Sequence, residues 1–235
     1  ELMSWSLGVV PALSSLVKLF SEPGDSILIQ TPVYSEFYDV TEAWGRNVLE
    51  NQLVEKDGAW SIDFEDFEEK AKQARMFLLC SPHNPLGIVW TREELDRMAR
   101  ICMENDVLLV SDEIHSDLVF HGKKHIPTAT LSDEIAGKVI TCISGTKTFN
   151  LAGMKNSFVI IPGEDLRNQF DRLAVSLHED TGNMLGYYAI EAAYTYGREW
   201  LDTVISIIRD NYEYALNRIQ AELPKAILSP LEGTY

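Results

Sequence analysis

The chain has 235 residues, 46% of them hydrophobic and 24% charged, with 36 acidic side chains against 20 basic ones and a formal net charge of −16. That length suits one large domain or one and a half, and the composition supports a sizeable core. The negative balance argues against a nucleic-acid surface or an anionic membrane as partner, and no stretch approaches membrane-spanning length or reads as a signal peptide.

Pro11 to Phe20 reads as a helix, with Pro11 in its first turn and Leu13, Leu16, Val17 and Phe20 on one face. Glu22-Pro23-Gly24-Asp25 stops it. Ser26 to Gln30 follows as a strand, ended by Thr31-Pro32. Glu36 to Trp44 is expected to be helical and Asn47 to Val54 extended. Asp63 and Asp66 bracket another helix start, with Phe64, Phe67 and Ala71 on its inner face. Met76 to Cys80 is an unbroken apolar run, the pattern of a strand buried on both faces, and a turn-rich loop runs from Ser81 to Gly87. Thr91 and Glu94 form a capping box. The helix they open places Leu95, Met98, Ala99 and Cys102 at i, i+3, i+4 and i+7.

Val107 to Val110 is a further buried strand, with Ser111-Asp112-Glu113-Ile114-His115 at its end. Val139 to Ile143, short and rich in β-branched residues, leads into Ser144-Gly145-Thr146-Lys147-Thr148-Phe149-Asn150-Leu151-Ala152-Gly153-Met154. Ser157 to Ile161 is one more strand. Beyond Glu164 the pattern is helical, broken near Thr181-Gly182, and Arg198 to Glu222 forms a long helix with Trp200, Val204, Ile207, Ile208, Asn211 and Ala215 along one side.

Strands alternate with helices up to about Arg100, and the strands are continuous apolar runs. This predicts an α/β fold with a mostly parallel sheet covered on both faces. Such sheets bind ligands beyond the carboxyl ends of their strands, so Tyr34, Asn84, Asp112, His115, Ser144 and Lys147 are the polar residues of interest. A lysine delivered beside core can act as an amine nucleophile, although most lysines after strands are simply solvated. Cys80, Cys102 and Cys142 read as buried reduced thiols of a cytoplasmic protein. No cysteine pair has metal-ligand spacing, His121 and His125 fit no metal signature, and no metal is expected. Glu1-Leu2-Met3 opens the chain abruptly, and Leu231 to Tyr235 ends it in what looks like the start of a strand, so a piece of a longer protein is expected.

Asn84, Asp112 and Lys147 are spaced 28 and 35 residues apart, the length of βα units. An amide, a carboxylate and an amine converging on one crevice suit a cofactor with a phenolic oxygen, a pyridine nitrogen and an aldehyde. Pyridoxal 5′-phosphate has all three.

The motifs Gly8-Val9-Val10-Pro11-Ala12-Leu13, Gln30-Thr31-Pro32-Val33-Tyr34, Pro82-His83-Asn84-Pro85-Leu86-Gly87, Ser111 to Asp117 and the Lys147 segment follow one another along the whole chain. In these the chain resembles fold-type I pyridoxal-phosphate enzymes of the class I/II aminotransferase superfamily, and within them the cystathionine β-lyase and cysteine C–S lyase branch. The resemblance implies a three-layer αβα sandwich with truncated ends. Residues 1–222 would form the cofactor-binding large domain and 223–235 the start of a smaller C-terminal one.

By the same resemblance Lys147 carries the cofactor and moves the substrate Cα proton, while Asp112 pairs with the ring nitrogen. Asn84 and His115 face the ring's 3′ oxygen, the latter where aminotransferases usually have a tyrosine. Tyr34 stacks on the ring. Gly8, Val9 and Val10 offer backbone to the phosphate at a helix start, joined by the hydroxyls of Ser144 and Thr146. Many aminotransferases place an arginine at the phosphate eight residues after the lysine; here that position is Lys155, which supplies a point charge without the bidentate fork. The arginine that grips the substrate carboxylate, and a tyrosine from a partner subunit, would lie outside this chain. The implied activity is β-elimination from cystathionine or a cysteine S-conjugate. Transamination, or a regulatory module that retains the fold, stays open, and a homodimer acting on a small amino acid is implied in the enzymatic cases.

Overall fold

A computed structural model describes residues 2–235. Along the chain, β1 (Met3–Ser6) leads into α1 (Val9–Phe20), β2 (Ser26–Thr31) into α2 (Glu36–Glu42), and β3 (Asn47–Gln52) into a hairpin of β4 (Val54–Lys56) and β5 (Ala59–Ser61). Then come α3 (Phe64–Ala71), β6 (Met76–Cys80), α4 (Arg92–Glu104), β7 (Leu108–Asp112), α5 (Asp133–Ala136), β8 (Ile140–Ile143), the single turn α6 (Gly145–Thr148) and β9 (Ser157–Ile160). Three helices follow: α7 (Glu164–Ser176), α8 (Met184–Tyr196) and α9 (Arg198–Glu222).

Seven strands form one sheet in the order β1-β9-β8-β7-β6-β2-β3. Pairing is parallel from β3 through β2, β6, β7 and β8, and β9 runs antiparallel to both of its neighbours. The register sets Cys80 opposite Asp112 and Asp112 opposite Cys142. The carboxyl ends of β6, β7 and β8 therefore finish level with one another.

Helices cover both faces, as the sequence predicts. Side chains along β6 alternate between them. Met76, Leu78 and Cys80 join Leu13, Leu16, Val17, Phe37 and Phe170 of α1, α2 and α7, whereas Phe77 and Leu79 join Phe67, Leu95 and Met98 of α3 and α4. Each fully buried side chain of this size contributes about 1.5–3 kcal/mol, so the paired β6 layers anchor the sandwich. The helix ends are closed locally. Asp63 accepts from the N–H groups of Glu65 and Asp66. Thr91 and Glu94 complete the expected capping box at α4. Arg46, buried without a carboxylate partner among the described residues, donates instead to the carbonyls of Lys18, Ser21 and Trp44 around the end of α1.

Three features depart from the expectations. Met3–Ser6 is a strand on the sheet edge, residues 54–61 fold back as a hairpin, and Lys147 sits inside a helical turn rather than at a bare strand end. The last residues return to the sheet's carboxyl end. The Phe120 N–H donates to Glu232 O, the Thr234 N–H to Leu118 O and the Gly233 N–H to Gly87 O. A Cβ on Gly233 would lie 3.0 Å from Val89 and 3.1 Å from Pro82, so this segment packs as close as glycine permits. No helix among the described residues is long and apolar enough to cross a membrane.

Candidate active site

The loops after β1, β2, β6, β7 and β8 surround a cavity of about 280 Å³ at the carboxyl end of the sheet. From the first loop it is lined by Gly8, Val9 and Val10, from the second by Tyr34, and from the third by Asn84. The end of β7 contributes Asp112 and His115, and α6 contributes Thr146 and Lys147. Lys155 and Asn156, just before β9, close the wall. Of the residues singled out in the sequence, Ser144 alone lies behind this lining. Its hydroxyl caps α6 by accepting from the Thr146 N–H at 3.1 Å and donates to Asn156 O at 2.5 Å.

Gly8 stands at the start of α1 with φ of 144°, a conformation that favours glycine. Because Pro11 has no N–H and the Ala12 N–H already donates to Gly8 O, the amides of Val9 and Val10 are those available at this helix start. The Tyr34 N–H donates to Asn84 O at 3.0 Å, fixing one loop against the next. The Asn84 N–H in turn donates to Cys80 Sγ at 3.3 Å. Cys80, which also borders the cavity, is fully buried, and burial together with the Asp112 carboxylate pushes its thiol far up.

Asp112 is 6% exposed and accepts one hydrogen bond, from the Ile114 N–H at 3.1 Å. Burial dominates its titration and raises the carboxyl to about 7; the Ile114 N–H pulls it back, Glu113 adds to the rise, and Lys147 opposes it. His115 is equally buried. Desolvation lowers its imidazole to about 4, the Lys147 charge acts in the same direction, and its Nδ1 has no partner among the described residues. Tyr34 is raised by burial and then by the carboxylates of Glu36 and Asp112. Lys147 is thus close enough for its charge to act on both Asp112 and His115.

The neighbouring Glu113 turns away from the cavity. It accepts from Ser111 Oγ at 2.9 Å and the Thr128 N–H at 2.9 Å, and lies 2.8 Å from His125 Nε2. This buried cluster holds the loop after β7 in place and pairs His125 with Glu113.

Asn156 escaped the sequence reading. It is fully buried, and neither end of its amide has a partner among the described residues. Its one sequence signal is its place beside Lys155, which is itself exposed at the cavity mouth and left-handed, with φ of 43°. Tyr235 was likewise not singled out; its ring centre lies 5.9 Å from that of His115.

Residues 5–230 match the family described as aminotransferase class I and II. The chain is 44% identical over its whole length to cystathionine beta-lyase PatB of Bacillus subtilis (strain 168) and covers 61% of that protein. Among solved structures, cystalysin from Treponema denticola with its pyridoxal 5′-phosphate cofactor matches over 100% of this chain and 60% of its own, at a TM-score of 0.95 and 36% identity. The pyridoxal-phosphate-bound C–S lyase from Staphylococcus hominis matches over 100% and 59%, with a TM-score of 0.93 and 35% identity. The chain therefore spans about three-fifths of the length of these relatives.

Proposed function

The chain belongs to the aminotransferase class I and II family, and on that premise we propose that it forms the cofactor-binding part of a pyridoxal-phosphate-dependent carbon–sulfur lyase. The reaction is β-elimination from cystathionine or a cysteine S-conjugate, giving a thiol, pyruvate and ammonia. One observation carries the reading: an amine, Lys147, and a single buried carboxyl, Asp112, line the same crevice. The donor set fits the cofactor. Asp112 has hydrogen-bonding capacity beyond its one bond to the Ile114 N–H, and a cationic ring nitrogen would offset the burial that now raises it. The unpartnered Nδ1 of His115 and the amide of Asn84 suit a phenolic oxygen. The amides of Val9 and Val10, with Thr146 and Lys155, suit a phosphate.

Bound there, pyridoxal phosphate supplies an aldehyde for an amine and a ring that withdraws electrons when protonated. Asp112 would keep the ring nitrogen protonated. Tyr34 would hold the ring's face and exclude water from it. Lys147 would tether the group through Nζ and, once displaced by the substrate amine, take the proton from the substrate Cα. Ser144, behind the wall, would fix Thr146 and α6 rather than touch the phosphate.

We also place the protein in the cytoplasm as a homodimer. The three buried free thiols support the first. The exposed apolar side chains Met184, Leu185 and Tyr188 along α8 support the second. Residues 1–222 would constitute the large domain, and 223–235 would lead into a smaller one.

The deciding assay supplies the full-length protein with cystathionine and no 2-oxo acid acceptor. Pyruvate should appear, and Lys147→Ala should abolish it. Amino-group transfer to an added 2-oxo acid, with no pyruvate in its absence, would replace the lyase by an aminotransferase.

A further inference from the structure

We propose that Asp117 is a positioning residue, one carboxylate oxygen of which locks the Lys147 turn to α8 and to the turn that carries His115; the catalytic part of this rests on the reading of Lys147 given above. Asp117 Oδ2 accepts from Thr148 Oγ1 at 2.9 Å and from Tyr194 Oη at 2.9 Å. Thr148 directly follows Lys147 and is 1% exposed. Asp117 lies two residues beyond His115, in a tight turn where the Leu118 N–H donates to His115 O at 2.9 Å.

The need for such a lock follows from the length of α6. Four residues cannot hold a helical turn by themselves, so the conformation around Lys147 must be fixed from outside. On one side Ser144 caps the turn. On the other, Tyr194 meets it at two further points. Its ring packs edge-on to Phe149 at 5.1 Å, and a Cβ on Gly145 would lie 2.8 Å from it. Gly145, Thr148 and Phe149 are therefore all gripped by the Asp117–Tyr194 pair, with Lys147 among them. Hydrogen bonds to a carboxylate are the strong ones. Tyr194 is 54% exposed as a residue, but desolvation of its hydroxyl and the Asp117 charge keep that hydroxyl protonated as a donor. The same carboxylate belongs to the His115 turn. It thus sets where Lys147 stands relative to His115, and a displacement of about 1 Å at a reacting group can cost about a hundredfold in rate.

The test uses the full-length protein with Asp117→Asn, Thr148→Val and Thr148→Ser. Thr148→Val keeps the branched shape and loses the hydroxyl, whereas Thr148→Ser keeps the donor. In the holoprotein, Asp117→Asn and Thr148→Val should lower kcat about tenfold with KM within about twofold. Cofactor content should be unchanged and the visible circular dichroism of the bound cofactor weaker, and Thr148→Ser should restore both signals. In the cofactor-free protein, the amides of residues 145–149 should exchange with solvent faster in the first two variants and at the wild-type rate in the third. Unaltered exchange, or an unaltered kcat per bound cofactor in Thr148→Val, overturns the proposal. A wild type with no cofactor attached at Lys147 overturns the catalytic reading instead, and the exchange rates then still decide whether Asp117 holds the turn.

Discussion

Asp112 ends β7 largely buried, and desolvation raises its carboxyl from 3.8 to about 7. Between those values the folded state binds a proton that the unfolded chain has released, so stability falls as the pH rises through that window. The loss is on the order of 2–4 kcal/mol. His115 acts at the other limit. Its imidazole is lowered from 6.5 to about 4, so its contribution is present above about pH 6.5 and is lost as the pH falls towards 4. Asp112→Asn should therefore make the cofactor-free protein more stable at pH 8, by on the order of 2 kcal/mol, and leave it unchanged near pH 4. Urea unfolding across that range measures this, and a variant less stable at pH 8 would mean that a partner, not burial, governs the carboxyl.

Among the elements, α4 and β6 are the most legible from sequence, because their signals are local. The capping box uses residues three apart, and the Glu94 carboxylate accepts the Thr91 N–H at 2.8 Å. Thr91→Ala should cost about 1 kcal/mol, seen as a lower urea midpoint with an unchanged slope. The edge strand β1 was hidden by an inversion: Ser4 and Ser6 are buried while Met3 is exposed, so its alternation runs against the usual rule. The β4–β5 hairpin did carry a signal. Asp57-Gly58 takes positive φ at both residues, 54° and 84°, as a two-residue type I′ turn requires. The α6 turn is too short to show a period. At the site, Asn84, Asp112 and Lys147 were legible because each follows a strand-like run. Asn156, Asp117 and Tyr194 were not, since their roles arise from contacts between segments far apart in the chain.

At the scale of the molecule, the parallel sheet follows from alternating elements and buried strands, yet the reversal of β9 has no mark in its own residues. Outside the sandwich, Met184, Leu185 and Tyr188 stand 69%, 67% and 66% exposed on α8. An apolar row of this kind supports the homodimer proposed above, because a two-fold pair would bury it symmetrically. Leu185→Glu together with Tyr188→Glu should shift the full-length protein from dimer to monomer in light scattering. An unchanged mass would place the interface elsewhere.

Cys80 shares the cavity wall with the groups proposed to liberate a thiol, and disulfide exchange requires a thiolate as the attacking species. Buried in that wall beside Asp112, its thiol is pushed far up, which keeps the sulfur protonated. An enzyme of this design would meet disulfides formed by oxidation of its thiol products without its own cysteine attacking them to form a mixed disulfide.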